Sequence, residues 1–184
     1  IAIIVAGDCT GHGVPGGFIT MLGSLLISKA VKENPKNPND ILSDINRGIV
    51  NILKQHKEKS IQDGMDISIC LIDKKQRKIL FSGARNGVHI VDSQDVVSYK
   101  GDLKPVGGTF SKKKDFEERT YELYEIQLKE NQWVFMYSDG YYDQFGGPRD
   151  KSMGSSRFKK ALLEAVRNNK STMNNFKNYF SEWK

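Results

Sequence analysis

Two aspartates stand where a carboxylate can do chemistry. Asp8 closes the apolar run Ile1-Ala2-Ile3-Ile4-Val5-Ala6 and enters a glycine-rich loop, Gly7-Asp8-Cys9-Thr10-Gly11-His12-Gly13-Val14-Pro15-Gly16-Gly17. Asp139 closes a second apolar run, Gln132 to Tyr137, in Tyr137-Ser138-Asp139-Gly140. If the two strands are neighbours, their carboxylates converge at one sheet edge, where they repel and resist ionisation unless a cation intervenes. Oxygen ligands suit Mg2+ or Mn2+, which keep several waters. Two such ions, bridged by a carboxylate and a water, give a nucleophile and a clamp for phosphoryl oxygens. Spacing alone leaves a plainer alternative open, because an Asp after a strand often only starts a turn. The glycines let main chain approach a ligand closely, so the first loop is expected to bring backbone near something beside Asp8 and His12.

The same loop invites a competing reading. Gly11-His12-Gly13-Val14-Pro15-Gly16 matches the glycine pattern of a dinucleotide-binding domain, after a strand and before a helix. Asp8, Cys9 and Thr10 intervene between strand and first glycine, however, and a second helix follows the first. No parallel strand therefore arrives with a ribose-binding acid. Dinucleotide binding stays a remote alternative.

The elements that must position these residues follow from periodicity. Ile1 to Ala6 is unbroken and β-branched, which predicts a strand buried on both faces. Phe18, Met21, Leu22, Leu25, Leu26 and Val31 predict an amphipathic helix with Pro15 in its first turn, ending near Asn34-Pro35. Ile41, Leu42, Ile45, Ile49 and Leu53 predict a second helix capped by Asn39 or Asp40. After a loop from Gln55 to Asp63 the period becomes that of strands. A hairpin joins Asp66–Asp73 to Lys78–Ser82, and another joins Val88–Val91 to Val96–Tyr99. Gly101 to Asp115 reads as a loop, Thr120 to Leu128 as an alternating strand, and Gln132 to Tyr137 as a central one. Two helical stripes end the chain, Phe158, Ala161, Leu162, Ala165, Val166 and then Met173, Phe176, Phe180, Trp183; both read as core packing. Helices, then hairpin-linked strands, then helices is an α+β order.

Composition sets outer limits. A chain of 184 residues with 38% hydrophobic and 27% charged residues is most simply a single globular domain, residues 1–184. No unbroken apolar run approaches roughly 18 residues, so no segment is expected to cross a bilayer. Cys9 and Cys70 have no zinc or redox spacing, which fits a cytoplasmic location. The net charge of +6 is scattered, with small clusters at Lys74-Lys75-Gln76-Arg77-Lys78 and Ser111-Lys112-Lys113-Lys114 that read as solvated tips. No aromatic-interleaved basic motif appears, so phosphorylated partners are expected ahead of nucleic acid.

Taken in order, Gly7-Asp8-Cys9-Thr10-Gly11-His12-Gly13-Val14-Pro15-Gly16, Asp63-Gly64-Met65-Asp66, Ser82-Gly83-Ala84-Arg85-Asn86, Pro105-Val106-Gly107 and Tyr137-Ser138-Asp139-Gly140-Tyr141-Tyr142-Asp143-Gln144-Phe145-Gly146-Gly147 form a recognisable pattern. The chain resembles the SpoIIE-like branch of the metal-dependent (type 2C, PPM) serine/threonine protein phosphatases over nearly its whole length. That resemblance implies two stacked antiparallel β-sheets flanked by helix pairs, an α-β-β-α sandwich. It implies a binuclear Mn2+ or Mg2+ centre in which Asp8 bridges, Cys9 supplies its backbone carbonyl and Asp139 is a second carboxylate ligand. His12 falls where relatives place a proposed general acid, two residues further from Asp8 than usual. Asp143 matches a position linked in some members to a weak third metal.

The implied reaction is direct attack of metal-bound hydroxide on phosphoserine or phosphothreonine of a bacterial signalling protein, without a phosphoenzyme. His12 could equally cap its helix, and Asp143 could be a solvated turn residue. Asp63 and Asp66 read as structural. Arg85 carries a guanidinium, which suits phosphate. His56 and His89 read as surface and strand residues, and Gln144-Phe145-Gly146-Gly147 as structural. Compared with the family, the chain is expected to lack an N-terminal strand bearing an acid and a C-terminal strand bearing a further metal ligand. The alternative is therefore an inactive or truncated phosphatase-fold module that binds a phosphoprotein. The parent chain is expected to add a sensor or regulatory domain, no membrane contact is expected of this domain, and there is room for a homodimer.

Overall fold

The computed structural model describes residues 1–33, 37–55, 57, 61–108, 119–167 and 172–183. In chain order the elements are β1 (Ala2–Cys9), α1 (Gly13–Glu33), α2 (Pro38–Ile52), β2 (Gly64–Asp73), β3 (Lys78–Ala84), β4 (Val88–Val91) and β5 (Val96–Tyr99). Then come β6 (Val106–Gly107), β7 (Tyr124–Gln127), β8 (Trp133–Met136), β9 (Phe145–Gly146), β10 (Lys151–Ser152), α3 (Gly154–Arg167) and α4 (Thr172–Trp183). The fold class is the expected α+β, with antiparallel sheets and helices in pairs. The residues fall into two compact units, Ile1–Gly87 with Lys100–Leu128, and Val88–Tyr99 with Lys129–Lys184.

In the first unit the strands run β1-β2-β3-β7, and β6 also pairs with β2. Strand alternation sends Ile3, Val5, Met65, Ile67 and Ile69 to the face covered by α1 and α2. There Ile41, Leu42, Ile45 and Ile49 of α2 are fully buried, as their spacing predicts. The cap of α2 is Asn37 rather than Asn39 or Asp40, because Pro38 takes the first helical position, where its missing N–H is harmless. The Asn37 side chain instead donates to Asp40 at 2.9 Å.

Three further expectations about this unit are corrected. β1 has one strand partner among the described residues and is half-exposed, with Ile4 at 47%; an apolar run does not by itself name its neighbours. α1 buries Ile19, Leu22 and Ala30 with Gly16 and Gly23, whereas Phe18, Met21 and Leu25 are exposed. It is also long and apolar enough to cross a membrane by length and composition, contrary to the expectation that no segment is.

In the second unit β5-β4-β8 form a three-stranded sheet and β9-β10 a short ribbon. The β4/β5 hairpin has the predicted bounds. β8 lies at the end of its sheet among the described residues, not at the centre. The α3 stripe Phe158, Ala161, Leu162, Ala165 and Val166 is buried. On α4, Phe176 is buried but Met173 is exposed, so the second stripe is narrower than its spacing suggests. The strand predicted over Thr120 to Leu128 shortens to β7, and the Gly101 to Asp115 loop contains β6. His56, the end of the first helix at Asn34-Pro35 and the Ser111 to Lys114 cluster lie outside the described residues.

Candidate functional site

β1 brings Asp8 to its penultimate position, exposed, and the chain then turns back into α1. Gly11 and Gly13 make that turn at φ +89° and +67°, values costly for any other residue. A Cβ on Gly16 would lie 2.8 Å from the Gly11 carbonyl oxygen, so the loop closes on the helix start only with glycine there. Thr10 fastens the loop to β2. Its N–H donates to the Gly64 carbonyl (3.0 Å), and its hydroxyl donates to the same oxygen (3.1 Å) while accepting from the Gly64 N–H (2.8 Å). Asp8, Cys9 and His12 line one groove of about 460 Å³ with Gly16, Thr20 and Ser24. The Cys9 side chain packs against the core, which leaves its carbonyl as the donor of interest.

In the β1/β2 ladder, Asp8 stands directly opposite Asp66. Opposed residues share a face, with Cβ atoms about 4.5–5.5 Å apart, and like charges there are unfavourable. That face is the one turned away from α1 and α2. Arg85 supplies opposite charge, its Nη1 lying 3.7 Å from Asp66 Oδ1. Sequence reasoning gave Asp66 a purely structural role and missed this pairing; only the strand register reveals it. Asp63 contributes its backbone carbonyl, which accepts from Gln55 at 2.6 Å.

In the second unit, Asp139 opens a 3-10 turn, Asp139–Tyr141, and its carbonyl accepts from the Asp143 N–H at 2.9 Å. Both carboxylates are therefore held within one turn, and both residues are exposed. The turn is framed by aromatics: Tyr137, Tyr141 and Tyr142 surround Phe158, with centroids 5.0, 6.1 and 6.2 Å away. His89 stacks on Tyr137 at 4.7 Å, and neither ring nitrogen has a hydrogen-bond partner among the described residues. Burial, helped by Lys159, pushes its pKa down to about 4. The stretch Gln144 to Gly147 seats the end of α4. The Gly147 N–H donates to the Trp183 carbonyl (2.7 Å), and the indole N–H donates to the Gln144 carbonyl (3.1 Å).

The structure thus brings the Asp8 loop, with Cys9 and His12, to one groove beside α1 while the Asp8 side chain turns to the opposite face of the sheet, and it holds Asp139 and Asp143 in one turn. Among the described residues, no three His, Cys, Asp or Glu side chains gather as a metal-holding group. What surrounds Asp8 is oxygen chemistry, a carboxylate and a main-chain carbonyl. Mg2+ binds through one or two carboxylates while keeping waters, so it fits this set; a four-ligand zinc site does not.

A family model described as "Stage II sporulation protein E (SpoIIE)" matches residues 2–177. Among solved structures, the chain is similar to the SiaA-PP2C domain of Pseudomonas aeruginosa. The TM-score is 0.82 at 26% identity, over 98% of this chain and 67% of that one. The PP2C phosphatase domain of SpoIIE from Bacillus subtilis, solved with a fragment of its regulatory domain, gives 0.70 at 18%, over 99% and 48%. RsbX in complex with magnesium gives 0.64 at 12%, over 98% and 73%. A search of curated proteins finds no match.

Proposed function

Because the chain belongs to the SpoIIE family, we propose that it hydrolyses phosphoserine or phosphothreonine on a bacterial signalling protein. The observation that supports this best is the span of the family match, 2–177, which takes in both the Asp8 loop and the Asp139 turn. Asp8, the Cys9 carbonyl and Asp139 would hold two Mn2+ or Mg2+ ions, with Asp143 beside a weaker third. When bound, such ions supply Lewis acidity and a water of lowered pKa. His12, exposed on the groove rim, would deliver a proton to the departing serine or threonine oxygen. The Thr10 clasp on Gly64 keeps the Asp8 loop from drifting as substrate enters. RsbX was solved with magnesium and SpoIIE with part of a regulatory domain, and both favour a cation-dependent module governed by a sensor in the same parent chain. A cytoplasmic location belongs to the same reading.

The test is Mn2+-dependent release of phosphate from p-nitrophenyl phosphate and a phosphoserine peptide. Asp8→Ala and Asp139→Ala should each abolish it, and chelator should do the same to the parent. A second reading is a phosphoprotein-binding module without turnover; it would need no trio of metal-holding side chains, and none gathers among the described residues. Tight phosphopeptide binding with no phosphate released at any cation concentration would select that reading.

A further inference from the structure

The connection between β3 and β4 contains a backbone feature that packing does not explain. Arg85 has φ +62°, and the Asn86 N–H donates to the Ala84 carbonyl at 2.8 Å, two residues back. Together these define a γ-turn with positive φ at its centre, a rare and strained form. Other non-glycine residues with positive φ, such as Arg77, Asn131 and Asp150, lie in ordinary tight turns. At Arg85 the surroundings over-determine the conformation. Its N–H donates to the Asp102 carbonyl (2.7 Å), and Asp102 N–H donates to the Gly83 carbonyl (2.8 Å). The buried Asn86 side chain donates to the Asp66 carbonyl at 3.0 Å. A Cβ on Gly101 would lie 2.5 Å from the Asn86 carbonyl oxygen, so the neighbouring segment closes tightly over the turn.

The result of this bracing is the placement of one guanidinium. Arg85 Nε donates to the Leu103 carbonyl (3.3 Å), and Nη1 faces Asp66 at 3.7 Å. Asp66 is the cross-strand neighbour of Asp8 on the same face. The side chain is 44% exposed, and Nη2 has no protein partner among the described residues. An ion pair this long and this open to water stabilises little and is no reason for a strained turn. A row of two carboxylates also repels a phosphate dianion, and a fork of guanidinium donors aimed beside it reverses that.

We propose that Arg85 binds the phosphate of the monoester substrate at the Asp8 site, and that Asp66 is a positioning residue that aims the guanidinium. The inference rests on the phosphatase reading of that site. Substrate oxygens meet the Nη2 edge while Nε and Nη1 stay tied to Leu103 and Asp66. Lysine at this position keeps the charge but loses the fork.

The experiment uses the full chain with Mn2+, p-nitrophenyl phosphate as substrate and inorganic phosphate as competing ligand. Arg85→Ala should raise KM and the phosphate inhibition constant about tenfold or more, with a much smaller change in kcat and unchanged half-saturation by Mn2+. Arg85→Lys should recover part of the loss, and Asp66→Asn should fall between parent and Arg85→Ala. KM and phosphate inhibition within about twofold of the parent in a folded Arg85→Ala would overturn the proposal. If that variant does not fold, Arg85→Lys decides by the same two constants. If the parent shows no turnover, the hydrolase reading fails. Calorimetric binding of phosphate to the parent and to Arg85→Lys then decides separately: weaker binding by the variant supports the assignment, and equal binding or none removes it.

Discussion

Arg119→Ala should be among the most destabilising single changes in this chain. Arg119 is 7% exposed and holds the turn from Pro105 to Gly108 by its carbonyls. Nη1 donates to Pro105 and Gly107, and Nη2 to Gly108, each at 2.7 Å. From the other side, Asn46 and Gln55 accept from the Gly107 and Gly108 N–H groups at 2.9 and 3.0 Å. Both glycines have positive φ, +68° and +66°, and side chains complete the bonding that the short β6 pairing with β2 begins. Burial works against the guanidinium charge and lowers its pKa, which makes the three carbonyl bonds its compensation.

A hydrogen bond to a charged group contributes about 1.5–3 kcal/mol. Three of them overstate the loss, because they share one guanidinium and water enters the vacated space. A net cost of about 3–5 kcal/mol is expected, at the upper end for point substitutions. For a chain of this size that corresponds to a fall in Tm of roughly 6–20 °C. Arg119→Lys should recover about a third at most, since one ammonium cannot span three carbonyls. Urea unfolding and thermal melting followed by circular dichroism read both variants. A loss under about 1 kcal/mol for Arg119→Ala, or full recovery by lysine, refutes the fork as the holding device.

Two further outcomes follow from the second unit. His89 has its pKa lowered from 6.5 to about 4, so the unfolded chain takes up a proton before the native one as pH falls. Its stabilising contribution is complete above about pH 6.5, reduced by about 2 kcal/mol at pH 5 and by about 3 at pH 4; His89→Phe should flatten urea midpoints measured between pH 7.5 and 5. Gly147→Ala places a Cβ 2.8 Å from the Trp183 ring at φ +68°, and should cost about 1–3 kcal/mol. In a Trp133→Phe background its indole emission should shift to the red; an unmoved spectrum and midpoint would count against the seat of α4.

Legibility in the sequence follows how local each signal is. The β4/β5 hairpin and the α3 stripe were readable because period and turn residues lie within a few positions of each other. α1 was readable as a helix but not by face. It is apolar on more than one side, and the side that packs is marked by its smallest residues: a Cβ on Gly23 would meet Met65. β1 and β8 are readable as strands but not as the ends of their sheets among the described residues, since neighbours are chosen by distant segments.

The candidate site divides in the same way. Asp8 and its glycines announce themselves within a dozen residues, whereas Asp66 and Arg85 acquire meaning only through pairing register. That register is fixed from both faces at once. One face of β1 carries Ile3, Val5 and Cys9 into the α1/α2 core, opposite Leu71, Ile69 and Met65. A one-residue slip would carry Asp8 into that core and expel the apolar set, so the hydrophobic pattern forbids it. Slips of two residues keep the pattern and must be excluded otherwise. The Thr10 clasp excludes them, because its hydroxyl and N–H meet Gly64 only when Cys9 faces Met65. A threonine without chemistry of its own thereby places Asp8 opposite Asp66, within reach of the charge that Arg85 brings.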